Sequence, residues 1–216
     1  MKFSSIVFDL DGTLIDTLED LMNSVNFALE KFNFPKRNID EIRSFVGNGV
    51  RRLVYLSTPV NTDEKTKEEC LAIFKEHYKE HSMVKTGPYN GIIEMLKKVK
   101  EMGIKTAVVT NKMQDAAVEI IRSFFGENID IIIGQIDGVA QKPAPDGVFL
   151  AMKKMGANPD ETVYIGDSEV DCQTAHNASL PIIGCTWGFR SREILEENNA
   201  EYIIDEPKEI IKIIMG

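Results

Sequence analysis

The sequence predicts an α/β protein, a doubly wound parallel sheet carrying an all-helical insertion after its first strand. Three observations predict it. Short apolar runs rich in Val and Ile recur at residues 3–9, 104–110, 129–134, 162–166, 182–186 and 202–204. Runs of that length without polar alternation mark parallel strands covered on both faces. Helical patterns lie between the later runs, which is the alternation of an α/β sheet. Residues 16–86, by contrast, show helical patterns only, and a crossover between parallel strands is far shorter than that.

The elements follow in chain order. The first run, Ile6-Val7-Phe8, leads into the polar stretch Asp9-Leu10-Asp11-Gly12-Thr13. The insertion comes next, with a strongly charged helix over residues 63–81, and the chain returns near Thr86-Gly87-Pro88. Ile92, Met95, Leu96, Val99 and Met102 recur at helical spacing before Gly103. Ala117, Ile120, Ile121 and Phe124 repeat the pattern. Pro145 opens a helix carrying Phe149, Met152 and Met155, and Gly156 closes it. Asp205 is expected to cap a final helix with Pro207 in its first turn.

Composition narrows the function classes. Of 216 residues 43% are hydrophobic and 27% charged, proportions that build an ordinary globular core. The net charge of −9 disfavours nucleic acid and anionic membranes as partners. No apolar stretch reaches the roughly 20 residues a bilayer span needs. The N-terminal apolar run is broken by Asp9 and Asp11, unlike a signal peptide. Three widely spaced cysteines, Cys70, Cys172 and Cys185, read as reduced thiols of a cytoplasmic protein. His77 and His81 stand four apart, but Tyr follows His77 where a zinc-protease motif has Glu, so a solvated helix face is expected.

Four polar signals sit at predicted strand ends, where open α/β sheets gather their ligands. In Asp9-Leu10-Asp11-Gly12 two carboxylates stand at i and i+2, able to divide nucleophilic and acid–base work, and Gly12 lets a backbone amide approach a ligand. Thr110 and Asn111 offer a hydroxyl and an amide suited to phosphate oxygens, and Lys142-Pro143 offers a cation in a stiff loop. Gly166-Asp167-Ser168-Glu169-Val170-Asp171 adds further carboxylates. Asp9, the Asp11 carbonyl and Asp167 form a hard oxygen set that suits Mg²⁺ better than zinc.

With DLDGT at 9–13, VVTN at 108–111, KP at 142–143 and GDSEVD at 166–171, the whole chain resembles the haloacid dehalogenase superfamily. Val46-Gly47-Asn48-Gly49, Pro88-Tyr89-Asn90-Gly91 and Thr186-Trp187-Gly188-Phe189 are similar to its phosphoglycolate-phosphatase-like branch. The resemblance implies a Rossmann-like core over residues 1–15 and 87–216 and a helical cap over 16–86. It implies that Asp9 becomes an aspartyl-phosphate, and that Asp11 protonates the leaving alcohol and then activates water. Thr110, Asn111, Lys142 and the Gly12 amide would hold the phosphoryl group. Asp167 would complete the Mg²⁺ site, and Asp171 would orient Lys142 or a metal-bound water. Asp11 also favours phosphate esters over carbon–halogen bonds. Arg51 and Arg52 of the cap offer cations for a second anionic group of a small phosphorylated metabolite. Phosphoglycolate, pyrophosphate or a nucleotide would each suit. A sugar phosphomutase and a non-catalytic phosphate-responsive module are the rival readings.

Overall fold

The structure is a computed structural model and describes residues 2–216. The chain divides into two compact units, one formed by the segment ending at Ile15 with Pro88–Gly216, the other by Asp16–Gly87. The links between them are short strands, Ile15–Asp16 (β2) and Gly87–Pro88 (β3).

The first unit is a six-stranded sheet. Its strands are Ser5–Phe8 (β1), Lys105–Met113 (β4), Ile131–Gln135 (β5), Thr162–Gly166 (β6), Ile182–Cys185 (β7) and Tyr202–Ile204 (β8), in the order β5-β4-β1-β6-β7-β8. Every pairing is parallel. β1 lies at the centre, with Ser5 opposite Lys105 on one side and Thr162 on the other. Its four residues are all buried, because helices cover both faces. Successive side chains point to opposite faces. Ile6 and Phe8 therefore join Val108, Ile165 and Ile183 in one core, and Val7 joins Ala107, Val109, Tyr164 and Ile182 in the other.

Helices Ile92–Glu101 (α5), Gln114–Phe125 (α6) and Glu209–Met215 (α10) supply the first core with Leu96, Ile120 and Ile210 among others. Asp146–Met155 (α7), Glu169–Asn177 (α8) and Arg192–Glu197 (α9) supply the second with Val148, Cys172 and Leu195. α5 buries Ile92, Met95, Leu96 and Val99, the stripe its period predicts.

The second unit holds Leu18–Glu30 (α1), Ile39–Phe45 (α2), Gly49–Ser57 (α3) and Glu64–His81 (α4). Asn38 and Glu41 form a capping box at α2, and Asp63 caps α4 through Thr66 N–H at 3.0 Å. Asp20 in α1 is buried, and its carboxylate takes the main-chain N–H groups of Lys85 and Thr86 and the Thr86 hydroxyl at 2.8–2.9 Å. Among the described residues no helix is long and apolar enough to cross a membrane.

Three local expectations need correction. β4 runs on to Met113, with a register shift after Val109, so Thr110 and Asn111 lie inside an irregular strand and not beyond its end. Asp205 caps no helix. Its carboxylate binds Thr186 and Arg192, and Glu209 reaches back to the main chain of residues 205 and 206 where α10 begins. His77 is half-buried and not simply a solvated surface group: its ring stacks on Phe27 at 4.1 Å and on His81 at 4.0 Å, and its Nδ1 meets Ser24 Oγ at 3.0 Å.

Asp20→Ala removes the acceptor for two main-chain donors and one buried hydroxyl. It is expected to destabilise the protein by about 3 kcal/mol, read as a lowered urea midpoint, with Asp20→Asn milder.

Candidate active site

The C-terminal ends of β1, β4 and β6 bring the predicted polar loops of the first unit together. β1 continues its ladder by one bond, Asp9 N–H to Ile165 C=O at 2.9 Å, which fixes Asp9 at the sheet edge. The chain then turns tightly: the N–H groups of Thr13, Leu14 and Ile15 all point to the Leu10 carbonyl. Gly12 makes the turn possible. It has φ +93°, and a Cβ there would sit 2.4 Å from Asp167 Oδ2.

Lys142 is the centre of the site. Its side chain is only 4% exposed, and its Nζ lies 2.7 Å from Asp9 Oδ1 and 2.8 Å from Asp171 Oδ1. It also donates to the Tyr164 hydroxyl at 3.2 Å, which in turn donates to Asp171 Oδ1 at 3.1 Å. Burial alone would strip the proton from Lys142, but the carboxylates of Asp171 and Asp9 outweigh it and hold the ammonium well above its usual range. Asp171 does two tasks with one side chain. Its Oδ2 accepts from the N–H groups of Asp167 and Ser168 and from the Ser168 hydroxyl in a capping box at α8, and its Oδ1 faces Lys142.

Asn111 is tied to the main chain of Lys142. Its amide accepts from Lys142 N–H at 2.9 Å and donates to Lys142 C=O at 3.1 Å. Those side-chain bonds fix the Lys142 loop. Thr110 is buried, and its Oγ1 accepts from Lys112 N–H at 3.2 Å, which leaves the hydroxyl proton to be donated.

Asp167 is 1% exposed. Its Oδ1 accepts from the Thr13 hydroxyl at 2.9 Å, and its Oδ2 from Phe189 N–H at 2.8 Å. Burial and the charge of Asp171 push its carboxyl up to about 7, against the pull of Phe189 N–H, Thr13 and Lys142. Asp11 is more accessible, and its Oδ1 pairs with Lys112 Nζ at 2.8 Å, the lysine side chain being 5% exposed.

Three participants escaped the sequence motifs: Tyr164, Lys112 and the Phe189 amide. Tyr164 stands in the buried strand β6, where a hydroxyl-bearing ring is out of place unless it has a polar partner. Lys112 is two residues past Thr110 on the same extended segment. A backbone N–H such as that of Phe189 leaves no trace in residue type. Arg51 and Arg52 lie in α3 of the helical unit, where Arg51 is ion-paired with Glu68 and both are exposed.

Carboxylate oxygens of Asp9, Asp167 and Asp171 approach within 4.8 Å of one another. Burial holds the Asp9 carboxyl well above the usual carboxylate range, and Asp171 and Asp167 add to this while Lys142 opposes it. One lysine does not neutralise three buried carboxylates, so an ionised Asp9 requires further positive charge among hard oxygen donors. A divalent cation fits that requirement. The cysteines do not compete as nucleophiles: burial pushes the Cys172 thiol up to about 12.

The chain is similar to known proteins. A sequence profile of the haloacid dehalogenase-like hydrolases matches residues 6–185. Phosphoglycolate phosphatase 1 of Pseudomonas aeruginosa is 31% identical over 212 residues, covering 95% of this chain and 78% of that protein. The phosphoglycolate phosphatase of Aquifex aeolicus is 28% identical and covers 97% and 95%. A crystal structure from Lactobacillus delbrueckii subsp. bulgaricus, of a protein provisionally called a phosphoglycolate phosphatase, superposes with a TM-score of 0.94 at 33% identity over 99% of both chains. The chain belongs to the haloacid dehalogenase-like hydrolases, as one of their phosphoric monoester hydrolases.

Proposed function

We propose that the protein is a Mg²⁺-dependent phosphatase that hydrolyses small phosphate monoesters through an aspartyl-phosphate on Asp9. The observation that carries this reading is the Asp9 carboxylate itself, buried at a strand end with Lys142 Nζ 2.7 Å away. A carboxylate so placed is oriented for attack by a fixed cation and not solvated by water.

In the first half-reaction an Asp9 oxygen attacks phosphorus and the ester P–O bond breaks, with Asp11 giving its proton to the leaving oxygen. In the second, Asp11 takes a proton from water, water attacks phosphorus, and the bond to Asp9 breaks to release inorganic phosphate. Lys142 and the Thr110 hydroxyl receive the phosphoryl oxygens, whereas the Gly12 N–H, expected to join them, already donates to the Ile15 carbonyl at 2.9 Å. Asn111 and Asp171 hold Lys142 in place, and Lys112 orients Asp11. Asp9, the Asp11 carbonyl and Asp167 would hold Mg²⁺, with Asp171 close by, and the cation would offset the repulsion between an anionic nucleophile and an anionic ester.

Phosphoglycolate leads the substrate panel, on the likeness to phosphoglycolate phosphatases of Pseudomonas aeruginosa and Aquifex aeolicus. Pyrophosphate is the second member, because a Caldanaerobacter subterraneus protein provisionally called a pyrophosphatase is 28% identical over 100% of this chain. Arg52, or Arg51 once released from Glu68, would serve a second anionic group in either case.

Three outcomes are expected. Phosphate release from the panel should require Mg²⁺, stop with EDTA, and fall at least about a thousandfold in Asp9→Asn with the fold intact by circular dichroism. Full activity in that variant would remove Asp9 from the chemistry. Lys112→Met should lower kcat by about 10² with little change in KM, because it disturbs the acid–base group and not phosphate binding.

The third outcome concerns pH. Asp167 is pushed up to about 7 and Asp9 also upward, so the folded cation-free protein binds more protons than the unfolded chain above pH ~4. That contribution to stability is fully present below the unfolded-state value and is lost as pH rises toward 7. Protons and Mg²⁺ compete for the same oxygens, so Mg²⁺ should raise Tm more near pH 7.5 than near pH 5.5. Equal shifts at both pH values would argue against these carboxylates as the cation site.

A further inference from the structure

The loop that follows β7 lies outside all four motifs, yet each of its five residues packs against or bonds to another segment of the first unit. Thr186 Oγ1 donates to Asp205 Oδ1 at 2.6 Å. Trp187 Nε1 donates to the carbonyl of Thr13 at 2.9 Å, across the turn that carries Asp9 and Asp11. Gly188 has no room for a side chain, since a Cβ there would sit 2.3 Å from Asp167 Cβ and 2.4 Å from the Gly12 carbonyl oxygen. Phe189 N–H donates to Asp167 Oδ2 at 2.8 Å. Arg190 Nε donates to Glu169 Oε2 at 2.8 Å, with a second, longer contact from the guanidinium to Oε1 at 3.4 Å.

The last two contacts close a ring. Glu169 is two residues beyond Asp167 in the first turn of α8, and Arg190 is one residue beyond Phe189. The main chain from Asp167 to Glu169, the ion pair, the main chain back to Phe189 and the N–H bond to Asp167 form one circuit. The Arg190 side chain is 10% exposed and Glu169 32%, so the pair is sheltered and its geometry is two-pronged, unlike a solvated surface pair. Asp167 is thereby held at both oxygens, Oδ1 by Thr13 and Oδ2 by Phe189, and each oxygen keeps a lone pair for a cation.

We infer that Arg190 and Glu169 are positioning residues for the divalent cation, acting through the Phe189 amide to hold Asp167 in its ligating orientation. The inference rests on the reading of Asp167 as a cation ligand. It assigns to the Thr186–Arg190 loop a part in the site that residue types alone do not reveal. Groups that orient metal ligands from behind typically change cation affinity by about 10- to 100-fold when removed.

The test is Mg²⁺ binding at equilibrium, by calorimetry on the intact protein, with turnover as a second readout. Arg190→Ala and Glu169→Gln should each raise the Mg²⁺ dissociation constant about tenfold or more. The double variant should be no worse than either single one, because both break the same ring. Arg190→Lys should recover part of the loss. Turnover at saturating Mg²⁺ should stay within about threefold of wild type, since added cation replaces the lost orientation. Wild-type affinity in both single variants, or losses that add in the double, would overturn the inference. If Arg190→Ala does not fold, Glu169→Gln carries the test alone, as it keeps the side chain's size. Wild-type protein that binds no Mg²⁺ would instead overturn the metal reading, and this inference with it.

Discussion

The ammonium of Lys142, enclosed by Asp9, Asp171 and Tyr164, is the interaction on which the rest of the site depends. Three carboxylates cannot be buried within 4.8 Å of one another without positive charge among them. Lys142 supplies part of that charge permanently. Its own burial is tolerable only because the carboxylates surround it, so neither partner would be stable there alone. The ends of β1 and β6 and the start of α8 are thereby fixed against the Lys142 loop by one cation. The Asn111 amide then secures the loop's main chain to β4.

This economy explains the division between structural and chemical groups. Asp171 has no exposed surface and uses every side-chain oxygen on Lys142, Tyr164, the α8 cap and the residues before it. It is spent on position. Asp11 faces a more open environment, and its carboxylate pairs with Lys112. A group that must exchange protons with substrate and water needs that freedom, while a group that sets the field must not move. The parallel sheet makes both possible, since it presents the ends of neighbouring strands on one edge and lets side chains from distant sequence positions meet there.

How much of this the sequence reveals depends on which atoms do the work. Side-chain chemistry at strand ends was legible: Asp9, Asp11, Lys142, Asp167 and Asp171 announce themselves as charged residues after apolar runs. The strands themselves were legible because burial on both faces leaves continuous apolar stretches, accurate to a few residues at each end. Where main chain does the work the sequence is nearly mute. The irregularity of β4 that turns Asn111 toward Lys142 appears in no residue pattern. The displaced start of α10 was hidden because Asp205 is an equally good helix cap and ion-pair partner, and tertiary contacts with Thr186 and Arg192 decided between them. His77 shows the same limit in the helical unit: a charged neighbourhood suggests solvent, but Phe27 of α1 offers its ring a stacking partner.

The glycines beside Asp167 show why the missing signals are physical and not a matter of closer reading. Gly12 and Gly188 belong to segments more than 170 residues apart, and each leaves a gap that the Asp167 carboxylate occupies. Either glycine alone reads as an ordinary turn residue. Together they form the walls of a slot one side chain wide, with Thr13 and the Phe189 amide as its polar contacts. The slot exists only when β1, β6 and β7 are laid side by side, so the property belongs to the sheet order rather than to any segment. It follows that the precision of this site is set by backbone packing around Asp167 as much as by the charged residues the motifs display. A change that leaves every acidic and basic residue in place can still disable it by filling that slot.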